Sequence, residues 1–200
     1  MNINEQFMKK YYSSRNGRKI EWIVVHYTGS VWADGRAQVI SNSLHRLEEN
    51  VDTPANKKRS THYIIGDDKI IQCVEDNKSA WHVGKYKSGY RVKCENANSI
   101  GVDLVEYKVN KKSGKANDND WYFSNTTLNE GANIIAQLMK RHSIDIEHVV
   151  RHYDITGKIC PAPFVGDSTN EKTGEIQKFQ WLIFKELIKI YFERNQDCVN

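Results

Sequence analysis

Apolar residues near the start of the chain form two patterns, a continuous run typical of a buried strand and a periodic spacing typical of a helix. Residues 20–26, IEWIVVH, form a nearly continuous apolar run, which predicts a buried strand ending at His26. Residues 34–49 carry apolar side chains at three- and four-residue steps, which predicts a helix over one face of a sheet, with Asp34 as its cap. The apolar positions of this helix are Ala37, Ile40, Leu44 and Leu47.

The middle of the chain predicts three more strands and two polar segments. HYIIG and KIIQCV flank the acidic pair at 67–68 as the strands of a hairpin would. Residues 75–98 form a long polar loop, and because such loops are often functional, we expect it at the rim of a site. Residues 99–107, SIGVDLVEY, predict a strand whose apolar centre holds Asp103. Residues 108–120 predict a solvated excursion.

The C-terminal half predicts two helices separated by a short strand. IEHVVRH predicts a strand ending at His152, and the loop YDITGKICPAPF follows it. Both helices should pack against the sheet, since each repeats apolar residues with helical spacing. Elements that alternate in this way predict an α/β fold, a mixed central β-sheet flanked by helices, with functional residues at strand ends. The apolar positions are Leu128, Ala132, Ile135 and Met139 in one helix and Ile176, Phe179, Ile183, Leu187 and Ile190 in the other.

Composition narrows the class of protein. A chain of 200 residues that is 39% hydrophobic and 27% charged suits one folded domain. The net charge of +4, from 29 basic and 25 acidic residues, is too balanced to indicate nucleic-acid binding. The sequence lacks a run of the roughly 20 apolar residues that a membrane span needs, and its start does not read as a secretory signal. The four cysteines show no CxxC spacing, which argues against a disulfide scaffold; they are Cys73, Cys94, Cys160 and Cys198.

Three residues carry the candidate chemistry. His26 and His152 end two predicted strands, and Cys160 lies in the loop eight positions after His152. Imidazole nitrogen and thiolate sulfur are good zinc ligands, and a catalytic zinc site keeps one position open beside three protein ligands. Spacing alone leaves open a plainer interpretation, in which the histidines and the cysteine are ordinary structural residues.

Local sequence words point to a family. IVVHYTGS, STHYIIGDDKIIQCVED, AWHVG, NSIGVDLVEY and VVRHYDITGKICPAPF resemble, in this order, the zinc-dependent N-acetylmuramoyl-L-alanine amidases of the type-2 family, which includes phage endolysins, autolysins and peptidoglycan recognition proteins. The resemblance covers about residues 20–165, and its most specific word is formed by His152, Lys158, Cys160 and Pro161. It implies that His26, His152 and Cys160 bind Zn²⁺.

The resemblance also implies two catalytic residues. Lys158 matches the lysine that stabilises the negatively charged oxygen of the tetrahedral intermediate. Asp103 matches the position where many relatives carry a glutamate that transfers protons, and aspartate there is a shorter departure from the pattern. A second branch of the family uses a tyrosine directly before the histidine that aligns with His62, but Thr61 stands at that position.

His82 and His62 are candidate substrate-binding residues. Either side chain could bind substrate or support a metal ligand, and a purely structural role is an equal alternative. Trp81, beside His82, is expected in the core rather than as a platform for a sugar ring. The basic run at 57–59 is expected in a solvated loop, from which its cations could meet acidic groups of a cell-wall polymer.

The sequence therefore predicts a zinc amidase that cleaves the bond between N-acetylmuramic acid and L-alanine in peptidoglycan. We expect a single catalytic domain over residues 1–200, with its core at about 20–165 and a C-terminal helix at about 173–193, and without a separate wall-binding domain. The expected site of action is the bacterial cell wall, reached from the cytoplasm by phage-type release, with neither nucleic acid nor membrane insertion involved. Two alternatives stay open: a module that binds muropeptides without cutting them, and a zinc peptidase acting within the stem peptide.

Overall fold

A mixed six-stranded sheet forms the centre of the computed structural model, which describes residues 1–197 and leaves Cys198 outside. The strands are β1 (Ile3–Glu5), β2 (Tyr12–Ser14), β3 (Trp22–Tyr27), β4 (Tyr63–Ile65), β5 (Ile70–Gln72), β6 (Lys78–Ala80), β7 (Ser99–Leu104), β8 (Tyr107–Lys108), β9 (Trp121–Tyr122) and β10 (Val149–Arg151). The α-helices are α1 (Ala37–Glu49), α2 (Asn125–His142), α3 (His152–Thr156) and α4 (Gln177–Asp197). Among the described residues, no helix is both long enough and apolar enough to cross a membrane.

The strand order in the central sheet is β1-β5-β4-β7-β3-β10. The β4–β5 pair is antiparallel, as the predicted hairpin requires, and the other neighbouring pairs are parallel. The predicted fold, a mixed sheet flanked by helices, is confirmed. Two further pairs, β2 with β6 and β8 with β9, form small antiparallel ribbons outside it.

Alternate residues of the central strands pack into separate cores on the two sides of the sheet. Ile23 and Val25 of β3 lie in the larger core, beneath α2. Val24 points to the opposite side, where Val150 and Ile155 surround it. On this second side α1 covers β4 and β5 through a third cluster, which contains Ala37, Ile40, Leu44, Ile64 and Ile71. A cleft lies on this second side, and residues of α1 form one of its walls.

Helix α4 forms an outer layer on α2, and this differs from the expected packing on the sheet. Its buried side chains are Trp181, Phe184 and Ile188, whereas Phe179 and Ile183, predicted to face the core, are 48% and 57% exposed. The prediction was wrong because QKFQWLIFKELIKIYF has apolar residues on more than one side, so helical spacing alone does not select the buried side. Gly131 lets α2 approach β7 closely, since a Cβ there would lie 2.7 Å from a methyl carbon of Leu104.

The N-terminus of α1 is capped from another part of the chain. Asp34 was predicted as the cap, but it precedes the helix with a φ of 50° and pairs with Lys111 instead. The carboxylate of Asp68, on the turn between β4 and β5, accepts hydrogen bonds from the backbone N–H groups of Ala37 (2.7 Å) and Gln38 (3.3 Å). The prediction of Asp34 was wrong because the cap is supplied by tertiary structure.

The predicted solvated excursion at 108–120 is solvated only in its middle. Lys108 at its start is buried, and its ammonium group lies 3.1 Å from Asp118 and pairs with buried Asp120. Burial of a lysine is tolerated when acidic partners compensate its charge. The pairing of β8 with β9 holds these residues together, so the two ends of the segment belong to the fold.

Candidate metal centre

The structure brings together the three residues predicted to bind metal. One ligand atom from each of His26, His152 and Cys160 lies within 4.8 Å of the others, and all three residues are buried. His26 Nδ1 and Cys160 Sγ are 3.6 Å apart. The imidazole rings of His26 and His152 meet edge to face, with centroids 4.9 Å apart.

Sheet topology explains why residues so distant in sequence converge. Strands β3 and β10 are parallel neighbours, and Val25 is paired with Arg151, so the residues that follow both lie at the same end of the sheet. His26 follows Val25 within β3. His152 was predicted as the last residue of a strand, but it is the first residue of α3. Cys160 returns to this point because its carbonyl accepts a hydrogen bond of 2.9 Å from the backbone N–H of Tyr153.

The chemistry of the three residues fits a divalent metal ion. Burial lowers the pKa of His26 well below its usual range and that of His152 to about 4, so both rings are neutral at pH 7 and able to ligate. Burial raises the pKa of the Cys160 thiol to about 12, so binding of a metal must displace the thiol proton. His152 Nδ1 is a buried atom with no hydrogen-bond partner among the described residues, as expected for a ligand.

His82 lies against His26 rather than apart from it. Its Nδ1 is 3.0 Å from His26 Nε2, and its Nε2 is 3.1 Å from the hydroxyl of Ser99. His82 also lines the cleft, but both of its ring nitrogens are engaged within the protein. Its contact with substrate therefore stays a prediction, and the contact that the structure provides is with the candidate metal ligand His26.

His62 is buried and its ring is held within the fold, and its contact with substrate stays a prediction. The side chain is 0% exposed. Its Nδ1 accepts a hydrogen bond of 2.9 Å from the Gly101 N–H, and its Nε2 lies 3.1 Å from the carbonyl of Lys78. Buried Arg15 lies beside it, and burial with this cation lowers the pKa of His62 to about 3. The ring therefore stays neutral and cross-connects strands beneath the cleft.

Asp103 and Lys158 both line the cleft, as the prediction of their catalytic roles requires. Asp103 accepts a hydrogen bond of 3.0 Å from the hydroxyl of Thr61, and burial raises its pKa to about 7. Lys158 is exposed, and its positive charge lowers the pKa of both His152 and Asp103. A carboxyl group near neutral pKa and a free ammonium group thus face the same cavity.

The cleft has a volume of about 820 Å³ and a cationic rim. Arg46 of α1 and Arg59 of the basic run line it together with Lys158, against the single acidic side chain Asp103. Trp81 packs against the core cluster beneath α1, as expected, and it also lines the cleft; its indole N–H donates to Ser13 Oγ at 2.9 Å. Arg46 was not anticipated from the sequence, because a charged residue on the outer side of a helix carries no signal of what it faces.

Glu106 is a further residue that sequence reasoning missed. It is fully buried beside the segment after β3, where its carboxylate accepts hydrogen bonds from Thr28 N–H (2.9 Å), Thr28 Oγ1 (2.9 Å) and Ser30 N–H (2.7 Å). Burial raises its pKa to about 7. The second acid in the predicted strand segment DLVEY was the available signal. Glu106 holds the segment that follows His26, and this segment forms one wall of the cleft.

An α/β sheet that gathers two histidines and a cysteine beside an open cleft defines a candidate metal-dependent hydrolase domain. Comparison with known proteins agrees with this class. The family model described as N-acetylmuramoyl-L-alanine amidase matches residues 16–163, and the chain belongs to this family.

Individual relatives support the family assignment. The chain is 27% identical over 177 residues to the N-acetylmuramoyl-L-alanine amidase CwlL of Bacillus licheniformis, which covers 86% of this chain and 45% of CwlL. It is 28% identical over 146 residues to the N-acetylmuramoyl-L-alanine amidase CwlA of Bacillus subtilis (strain 168), covering 73% of this chain and 44% of CwlA. The chain thus spans less than half the length of these relatives. The solved structure of PlyL has the same fold, with a TM-score of 0.61 at 22% identity over 94% of this chain and 97% of PlyL.

Proposed function

We propose that the protein is a zinc-dependent N-acetylmuramoyl-L-alanine amidase, which hydrolyses the amide between N-acetylmuramic acid and the L-alanine of the peptidoglycan stem. The observation that carries the proposal is the convergence of His26, His152 and Cys160 beside an open cleft that His26 and Cys160 line. Two neutral imidazoles and one thiolate form a donor set that zinc prefers. Membership of the amidase family supports the choice of substrate.

The residues around the centre supply the remaining requirements of amide hydrolysis. Zinc, when bound, lowers the pKa of a coordinated water and polarises a carbonyl group. Asp103 takes a proton from the attacking water and returns it to the leaving amine, a task that suits a carboxyl group with a pKa of about 7. Lys158 places a positive charge at the cleft, where it stabilises the oxyanion of the tetrahedral intermediate.

The cleft suits a polymer that carries carboxylates. Stem peptides of peptidoglycan are acidic, and Arg46 and Arg59 give the rim a positive charge beyond that of Lys158. The cleft is also open at the surface, which a crosslinked substrate requires. Action at the bacterial cell wall follows from this substrate, whatever the route by which the protein reaches it.

The test is digestion of purified sacculi with zinc-loaded protein, followed by identification of the products. An amidase releases intact stem peptides with free L-alanine amino groups and leaves peptide-free glycan. A binding module releases no amino groups, and a peptidase within the stem peptide yields shortened peptides instead. Treatment with a chelator should stop the release, and zinc should restore it.

The proton-transfer role of Asp103 has its own test. Asp103→Asn keeps the shape of the side chain and removes its ability to accept a proton at neutral pH. We expect zinc to stay bound in this variant while release of L-alanine amino groups falls by about 100-fold or more. Unchanged turnover would assign proton transfer to another group.

A further inference from the structure

We infer that His82 is a positioning residue for the metal ligand His26, because it accepts the proton of His26 Nε2 and so leaves His26 Nδ1 free to ligate. This inference rests on the proposed zinc amidase function and adds a residue to its machinery. The starting observation is that the two nitrogens of His26 face different partners. Nδ1 faces Cys160 Sγ at 3.6 Å, and Nε2 faces His82 Nδ1 at 3.0 Å.

The direction of the hydrogen bonds from His26 through His82 to Ser99 follows from the partner of the Ser99 hydroxyl. The hydroxyl of Ser99 lies 2.6 Å from the backbone carbonyl of Glu95, which can only accept, so the hydroxyl proton points to that carbonyl. Ser99 Oγ must then accept from His82 Nε2 at 3.1 Å. A neutral imidazole carries one ring proton, so His82 Nδ1 is an acceptor and His26 Nε2 is its donor.

This sequence of contacts fixes the tautomer of His26. With its proton held on Nε2, the ring presents an unprotonated Nδ1 toward Cys160 and the candidate metal position. Ligand histidines generally donate their second ring nitrogen to a carboxylate, a carbonyl or water, and this partner sets the orientation and basicity of the ring. Here a second histidine takes that place.

The fold holds His82 rigidly in this position. The side-chain oxygen of Asn96 accepts hydrogen bonds from three successive backbone N–H groups, those of His82 (3.1 Å), Val83 (2.8 Å) and Gly84 (2.8 Å). Gly101 makes room for the ring, because a Cβ there would lie 2.7 Å from His82 Cγ and 2.9 Å from Nδ1. The loop therefore fixes the backbone at His82, and the glycine in the sheet leaves the space that its ring occupies.

The decisive experiment compares zinc affinity in two variants that differ in where they carry a polar atom. His82→Asn places a carbonyl oxygen near the position of Nδ1, where it can accept from His26. His82→Gln carries carbon at that position and its polar atoms further out, toward Ser99. Affinity is measured by competition with a chromophoric zinc chelator, and thermal unfolding of the metal-free proteins checks folding.

We expect His82→Gln to lose about 10- to 100-fold in zinc affinity, the usual effect of removing the partner of a metal ligand. His82→Asn should retain most of the wild-type affinity. Equal affinities in the wild type and His82→Gln, or an Asn variant as weak as the Gln variant, would overturn the inference. A wild-type protein that binds no zinc would overturn the proposed function as well, whereas a wild type that binds zinc and releases L-alanine would confine the failure to His82.

A second measurement uses the unaltered protein and stands even if a variant fails to fold. Nitrogen-15 NMR of the imidazole side chains in the zinc-loaded protein reports which ring nitrogen carries the proton. We expect the proton on Nε2 in both His26 and His82. A proton on His82 Nδ1 would overturn the inference, because that atom could then not accept from His26.

Discussion

His26 and Asp103 are paired residues on adjacent parallel strands, β3 and β7. Paired residues of a parallel sheet point to the same side, so the candidate ligand and the candidate proton carrier share the floor of the cleft. On its other flank Asp103 is paired with Ile64 of β4. Enclosure among strands removes water from the carboxyl group, and this burial raises its pKa to about 7.

The raised pKa of Asp103 predicts a pH dependence of stability. Because the folded-state pKa of about 7 exceeds the value of about 3.9 for an unfolded chain, the folded protein holds the extra proton between these values. Stability of the metal-free protein should therefore fall as pH rises from about 4 to about 7, the interval between the two pKa values. Asp103→Asn does not titrate at this position, so it serves as the reference. Urea unfolding of both proteins across this range measures the difference. A difference in stability between the two proteins that does not change with pH would contradict a raised pKa of Asp103 in the folded protein.

Removal of the candidate sulfur ligand should release the metal. We expect Cys160→Ser to lose zinc on dialysis and to lose hydrolysis, since a hydroxyl is a much poorer ligand for zinc than a thiolate. Elemental analysis of the dialysed protein measures bound zinc. Cys73→Ser is the matched control, because Cys73 is a buried thiol in the α1 core. Loss of zinc from the control, or retention by Cys160→Ser, would contradict the ligand set.

The charge of Lys158 should matter for turnover and not for metal content. Its side chain is exposed in the cleft, so Lys158→Ala should fold normally and keep its zinc. Loss of one group that stabilises an oxyanion lowers kcat by about 100- to 1,000-fold. The control is Lys112→Ala, which removes an exposed lysine from the segment between β8 and β9. Equal kcat in the two variants would refute the role.

Glu106 should stabilise the protein through the segment that follows His26. In Glu106→Ala, the part-buried N–H groups of Thr28 and Ser30 lose their acceptor, and a donor left unsatisfied away from water costs about 1–3 kcal/mol. We expect the free energy of unfolding to fall on the order of 3 kcal/mol, with a smaller loss in Glu106→Gln, which keeps one acceptor oxygen. Denaturant unfolding measures both. An Ala variant within about 0.5 kcal/mol of the wild type, the range of surface substitutions, would disprove this account.

The cap of α1 offers a comparison between the predicted residue and the observed one. Asp68→Ala should lower the free energy of unfolding by about 1 kcal/mol, the usual cost of losing an N-terminal cap. Asp34→Asn tolerates the same positive φ and removes only a half-exposed ion pair with Lys111, so its effect should be smaller. A larger effect at Asp34 would reverse the assignment of the cap.

The sequence was most informative where structure is local. β3 and β7 could be recognised from their apolar runs, because central parallel strands are buried on both sides. The hairpin of β4 and β5 followed from its turn residues. By contrast, the three residues of β1 are exposed and join the sheet by pairing with β5, far along the chain, so no local pattern marks them as a strand.

The three candidate metal ligands could be predicted from the sequence, whereas the residues that contact them could not. Predicted strand ends and a motif resembling the amidase family pointed to His26, His152 and Cys160, and the structure brings these residues together. The contact between His26 and His82 joins residues 56 positions apart, and it depends on the path of the loop that carries His82. The contact between His62 and Arg15 was not predicted, because the two residues lie 47 positions apart in the chain.

Strand β10 lies at the margin of the sheet, hydrogen-bonded within it to β3 alone, and it leads directly into two of the three candidate ligands. Sheet margins open locally at a lower free energy than sheet centres do. A metal ion held jointly by His26 on the inner strand and by His152 and Cys160 beyond β10 would crosslink this margin reversibly. Resistance of the β10–α3 region to proteolysis should therefore depend on metal supply as well as on packing.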